Sequence, residues 1–151
     1  MSRLSFWHPA ALTATVCGVG YARYAPGTAG SLVALPIAWF AGGPALPLLA
    51  LALILIGWGA ADVVVRRGGV QDPPRVVIDE VAGQTLALIP ASHDIFAFAV
   101  AFLAFRATDI LKPWPASWAD RRLTGGLGAM ADDVIAGIYA GMIVYLFMML
   151  R

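Results

Sequence analysis

An all-α integral membrane protein, a small helical bundle with short or broken transmembrane hairpins, is the fold class this 151-residue sequence predicts. Three observations carry that expectation. Hydrophobic residues make up 60% of the chain and Asp, Glu, Lys and Arg only 13%, about half the charged share of an ordinary soluble domain. The mean hydropathy is +0.80, more apolar surface than a soluble protein this small could bury. The apolar runs show little period-two alternation, and a backbone in lipid must satisfy its own polar groups, so helices are favoured over strands.

The elements follow in chain order. Residues 1–20 are mildly apolar and broken at His8-Pro9. They read as an N-terminal interfacial or partly spanning segment, without the cleavage signature of a signal peptide. Residues 21–151 read as one membrane-embedded domain. The stretch GYARYAPGTAG (20–30) has loop composition, with Ser31 as N-cap of the apolar run that follows. Gly42-Gly43-Pro44 breaks that run, and a second continues to Asp62. Residues 62–78 are polar and carry the breaker Asp72-Pro73-Pro74. Apolar sequence resumes from Val81 to Phe105, interrupted at 90–94; residues 106–131 are polar and rich in Trp, Gly and Pro; residues 134–150 form the last run.

The interruption at 90–94 bears on topology. A straight span over 81–105 would put Asp79-Glu80 and Asp109 on opposite sides of a bilayer. Two helices of about eleven residues, each roughly 16 Å long, would return the chain to its starting side. The 31–61 region, broken at Gly42-Gly43-Pro44, reads as a second hairpin. All three polar stretches then share one face. That face holds most of the Arg and Lys, and the positive-inside rule makes it cytoplasmic.

All nine acidic residues lie between Asp62 and Asp133, and the pairs Asp79-Glu80 and Asp132-Asp133 sit at the edges of apolar segments. Ionisable groups held so close to membrane depth mark functional sites. On a helix, Asp79 shares a stripe with Gly83 and Ala87, and Asp133 with Gly137 and Gly141. Small residues line faces where membrane helices pack closely, so these carboxylates point at neighbouring helices. Asp79, Glu80, Asp132 and Asp133 are therefore candidate metal ligands, although each pair alone also reads as acids complementing a helix dipole. Asp109 is a further ligand or base. Arg106, Asp109 and Lys112 follow at i, i+3 and i+6, and Arg106 with Lys112 makes a phosphate clamp. Asp120 either joins this group or pairs with Arg121 or Arg122. The segment Gly27-Thr28-Ala29-Gly30-Ser31 opens a helix and offers backbone N–H groups, with the Thr28 hydroxyl, to phosphate.

Other features carry less. Cys17 and Arg23 have the C-x5-R spacing of cysteine phosphatases, but no buried strand precedes Cys17. A free Cys in an apolar segment is ordinarily a packing residue, and it forms no internal disulfide. His8 and His93 lack partners at ligand spacing. Trp114 and Trp118 suit a membrane interface. A net charge of +1 gives no reason to expect a nucleic-acid partner.

Four stretches, APGTAGSLVALP (25–36), VVIDEVAGQ (76–84), FRATDILKPWPASWADRR (105–122) and GGLGAMADDVIAG (125–137), together resemble the phosphatidylglycerophosphatase A family of bacterial membrane lipid phosphatases. The resemblance runs from about residue 20 to the end. It implies a Mg²⁺-dependent phosphoric monoester hydrolase of the bacterial inner membrane, multi-pass, with its active site facing the cytoplasm. The implied reaction converts phosphatidylglycerophosphate to phosphatidylglycerol and phosphate in phospholipid biosynthesis. Asp79, Glu80, Asp109, Asp132 and Asp133 are then the expected catalytic residues, and Thr28, Arg106 and Lys112 the expected substrate contacts. In-line attack by a water on the metal and a carboxylate nucleophile forming an aspartyl-phosphate are both open routes. Two other classes compete: another small membrane lipid phosphatase, and a non-enzymatic transporter or assembly subunit. The first has no support from a DG-x2-AR or an acid-phosphatase pattern in the chain. Acids at rims rather than mid-span argue against an ion path. The sequence leaves the oligomeric state open.

Overall fold

A computed structural model of the chain describes residues 4–71 and 73–151. The first three residues of the N-terminal segment, and Asp72 of the expected breaker, lie outside the described residues. Among the described residues there are seven α-helices and no strand: α1 (Pro9–Ala14), α2 (Pro26–Ala41), α3 (Ala45–Gly68), α4 (Ile78–Leu88), α5 (Ile95–Leu111), α6 (Ala116–Arg122) and α7 (Gly125–Leu150). Two of them, α3 and α7, are long and apolar enough to cross a membrane.

Local chemistry explains the boundaries. α2 begins earlier than expected, with Pro26 in its first turn, where a missing N–H costs nothing. Ser31 is therefore no N-cap. It lies buried inside the helix and its hydroxyl donates to the Gly27 carbonyl at 3.0 Å. α3 runs past Asp62 to Gly68 and ends at left-handed Gly69, whose N–H donates to the Val65 carbonyl at 2.9 Å. The first part of the expected polar loop is thus helical, and Asp62 pairs one turn on with Arg66. α7 likewise begins nine residues before its purely apolar run, at Gly125. Composition alone read these polar helix ends as loops because their apolar stripe is interrupted by charge.

The 90–94 interruption is a turn. α4 tightens into a short 3-10 turn over Ile89–Ala91. Asp94 then caps α5, its Oδ1 accepting the N–H groups of Phe96 and Ala97 at 2.9 Å each. The two hairpin turns meet at one end of the bundle, where His93 Nε2 donates to the Trp39 carbonyl at 2.8 Å and Arg151 pairs with Asp94 at 2.6 Å. The polar stretches gather at the other end, as the hairpin topology requires.

α4 is the axis of the structure. Nine of its eleven residues are buried, packed among α2, α3 and α7. Its crossing with α7 is set by glycines. A Cβ on Gly137 would stand 2.4 Å from the Gly83 carbonyl oxygen, and one on Gly83 would stand 2.5 Å from the Asp133 carbonyl oxygen. Only hydrogen fits there, and fully buried Phe105 of α5 fills the adjoining space. The Gly137–Gly141 face therefore packs against the protein's own α4.

Candidate active site

At the polar end, α2, α4, α5 and α7 enclose a cavity of about 320 Å³. All eight residues expected from the sequence line it: Thr28, Asp79, Glu80, Arg106, Asp109, Lys112, Asp132 and Asp133. Ala25, Pro26, Gly27, Pro73, Pro74, Val76 and Ala129 complete the wall.

Each helix contributes by its position. Asp79 and Glu80 occupy the first turn of α4, where the helix dipole favours negative charge. Asp132 and Asp133 lie two turns into α7, so the dipole does not account for them. Close approach at Gly83 and Gly137 brings the two acidic segments together. Asp79, Glu80 and Asp133 each present a carboxylate oxygen, and these three oxygens all lie within 4.8 Å of one another. Asp79 and Asp133 are each only 5% exposed. Among the described residues, the buried oxygens Glu80 Oε2 and Asp133 Oδ1 have no hydrogen-bond partner. Converging hard oxygen donors with unused lone pairs, stripped of water, fit a divalent cation such as Mg²⁺ or Ca²⁺.

Asp132 is set apart from this trio. Its Oδ2 accepts Lys112 Nζ at 2.6 Å, and the same ammonium reaches Asp120 at 2.7 Å. Asp120 thus joins the site group through Lys112. Partial burial pulls the Lys112 ammonium toward a lower pKa. The two carboxylates outweigh it and hold the group well above its ordinary value, firmly cationic. Lys112 is aimed by the chain itself: it is the left-handed C-cap of α5, immediately before Pro113. One turn back, Asp109 pairs with Arg106 at 2.6 Å, both side chains mostly buried. Arg106 Nη1 also donates to Ser31 Oγ of α2 at 3.4 Å, while its buried Nε has no partner among the described residues. Five carboxylates and two cations line the cavity, so three negative charges are left over when all are ionised.

On the opposite wall, the first turn of α2 brings Gly27 against the Glu80 carboxylate; a Cβ there would stand 2.3 Å from Glu80 Oε1. Pro26 has no N–H and Ala29 N–H already donates to Ala25, so the N–H groups of Gly27 and Thr28 remain for a ligand. The arrangement can hold a cation on its acidic side and a multiply charged anion between that cation, Arg106, Lys112 and the start of α2.

Several residues were missed by sequence reasoning. Gln84, one turn beyond Glu80, is fully buried with both amide atoms unpartnered among the described residues. Its signal was available: an amide in an apolar run, four residues after an acid. Gln71 brackets Gly125 with two hydrogen bonds, and Asp62 Oδ1 accepts Gly126 N–H at 3.1 Å, anchoring the start of α7. No short-range pattern encodes contacts across 54 or 64 residues. Cys17 is exposed and outside the cavity, while His8 caps α1 through Nδ1 and His93 sits at the far end.

Comparison with known proteins points the same way. Residues 12–148 match the family model described as phosphatidylglycerophosphatase A. The chain is 36% identical to phosphatidylglycerophosphatase A of Escherichia coli (strain K12) over 149 residues, 95% of this chain and 86% of that one. It is 36% identical to the Haemophilus influenzae protein of the same name over 155 residues, 96% and 92% of the two chains. A Bacteroides thetaiotaomicron protein provisionally named a phosphatidylinositol-3-phosphatase is 38% identical over 141 residues, 85% and 87% of the two chains. No solved structure matches the chain.

Proposed function

The chain belongs to the phosphatidylglycerophosphatase A family, and on that premise we propose that it hydrolyses phosphatidylglycerophosphate to phosphatidylglycerol and inorganic phosphate. It does so as a Mg²⁺-dependent, multi-pass enzyme of a bacterial inner membrane, with its site on the cytoplasmic face. The carrying observation is the convergence of Asp79, Glu80 and Asp133 beside Arg106 and Lys112 in one cavity. The wide exposure of large apolar side chains around the bundle, from Leu48 and Leu55 to Leu103 and Leu146, supports the membrane assignment. Arg66, Arg67, Arg121 and Arg122 at the polar end support the orientation.

Asp79, Glu80 and Asp133 would hold the metal. Charge neutralisation on the transferring phosphoryl oxygens is the chemistry a bound Mg²⁺ supplies there. Arg106 and Lys112 bind the phosphate oxygens, and preorganised cations of this kind stabilise the charge that develops as the phosphoryl group transfers. Asp109 holds the Arg106 guanidinium in place, and Asp132 with Asp120 holds the Lys112 ammonium, so neither cation must reorganise when substrate enters. The four-carboxylate ligand set expected from sequence thereby becomes three ligands plus an anchor. Gly27 and Thr28 N–H groups and the Thr28 hydroxyl take the remaining phosphate or glycerol oxygens.

The relative named for phosphatidylinositol 3-phosphate favours a second substrate with the same phosphomonoester and a different head group. The test is phosphate release by detergent-purified protein from both lipids, with Mg²⁺ and with EDTA. Release from phosphatidylglycerophosphate that EDTA abolishes is expected. No release from folded protein in any condition would sink the phosphatase reading, and faster release from the inositol lipid would change the substrate.

A further inference from the structure

An apolar groove of about 420 Å³ lies between α2 and α5, lined by Leu35, Pro36 and Trp39 on one side and Phe98, Ala99 and Phe102 on the other. That volume is within the ~300–1,000 Å³ range of small-molecule sites. We propose that this groove seats one acyl chain of the lipid whose phosphate occupies the acidic cavity. The proposal rests on the lipid phosphatase reading and locates the substrate's tail within it.

Succession along the same two helices carries the argument. Arg106, which lines the cavity, is one helical turn from Phe102 on α5, and Ser31 is one turn from Leu35 on α2. Arg106 Nη1 and buried Ser31 Oγ meet at 3.4 Å, so α2 and α5 are joined by a polar contact between the groove and the charged site. A ligand with an anionic head and an apolar tail matches that order of surfaces. From Phe102 to Ile95 the groove follows α5 for about 10 Å, and it offers almost no polar surface.

Two other apolar grooves lack this alignment with the charged site. The one between α4 and α7 is closed toward the acids by the backbone contact of Gly83 with Gly137. The one between α3 and α7 is separated by the packing of Gly57 against Ile78 and Met130. α2 and α5, by contrast, touch over few residues.

The test uses phosphatidylglycerophosphate carrying a diazirine in one acyl chain, photolysed on the detergent-purified full chain. Labelling should concentrate on residues 35–39 and 95–102 and be displaced by unlabelled lipid. Ala99→Trp, which fills an exposed position in the groove, should cut that labelling and raise KM about tenfold with kcat unchanged, a loss worth about 1.4 kcal/mol. Phe102→Trp should act in the same direction if the first variant does not fold. Labelling at 137–146, or spread evenly over every apolar face, would overturn the groove assignment. Unchanged KM in a folded groove variant would overturn it as well. Phosphate release by the wild type is read in the same samples. Release without groove labelling discards the groove alone, whereas groove labelling without release discards the phosphatase reading and leaves a lipid site.

Discussion

Replacing Gly137 by Ala should disable the protein while adding only one methyl group. The new Cβ would stand 2.4 Å from the Gly83 carbonyl oxygen, and 3.0 Å from the Gly83 carbonyl carbon and Cα. Ordinary contact begins near 3.4 Å, so α4 and α7 must separate by about 1 Å. Neither can yield by rotating a side chain, because the obstacle is backbone. That separation falls one turn from Asp133 and one turn from Asp79, which must keep their oxygens within 4.8 Å of each other and of Glu80. A misplacement of about 1 Å costs on the order of 10²-fold in rate. Overpacking should also cost about 1–3 kcal/mol of stability. Phosphate release and thermal unfolding in detergent measure both. Gly141→Ala is the control: its Cβ would lie 3.5 Å from the Leu86 carbonyl, an ordinary contact, and activity should stay near wild type. A fully active Gly137→Ala, or equal damage from Gly141→Ala, would refute the claim that the α4–α7 crossing sets the site.

Further predictions concern the site and the bundle ends. Asp79→Asn, Glu80→Gln and Asp133→Asn should each lower kcat at least about 10²-fold and raise the Mg²⁺ needed for half-activity, read by metal titration. Asp132→Asn should chiefly weaken phosphate binding through Lys112, so a KM effect larger than its Mg²⁺ effect is expected; the reverse would return Asp132 to the metal. The raised pKa of Lys112 means its ion-pair stabilisation is fully present below the ordinary lysine value and is lost only as pH rises through the raised one. A pH–rate profile should therefore show no Lys112 limb up to about pH 10, and a falling limb near 9 that vanishes in Lys112→Arg would contradict this. Asp94 has its carboxyl held below the usual range by the Ala97 N–H, with burial opposing and Arg151 assisting, so its contribution is present above that range and fades as pH falls. Asp94→Ala should lower Tm by about 2–4 °C through the lost α5 cap, with kcat unchanged.

Much of the site was legible because its chemistry violates the composition around it. Carboxylates, an Arg and a Lys in a chain this apolar have few reasons to exist other than one another, and all eight expected residues do line one cavity. The small-residue stripes behind Asp79 and Asp133 likewise announced a close helix crossing. What pattern reading blurred were helix ends: Ser31 and Asp62 lie inside helices with partners one turn away in the same helix, and Gln71 and Asp62 hold the start of α7 at Gly125 and Gly126. Gln84 was passed over because one amide in an apolar run looks incidental until its burial is known.

Helical class, the two hairpins and the acidic inventory are properties of local order along the chain: breakers at 42–44 and 90–94, and charge confined to rims. The division of labour among the carboxylates is not. Asp132 and Asp133 are neighbours in sequence, yet on α7 they point about 100° apart. One meets Lys112 from α5 and the other meets Asp79 and Glu80 from α4. Which partner each acid receives depends on helices from distant segments docking at a separation set by two glycines, and only the packed structure supplies that distance.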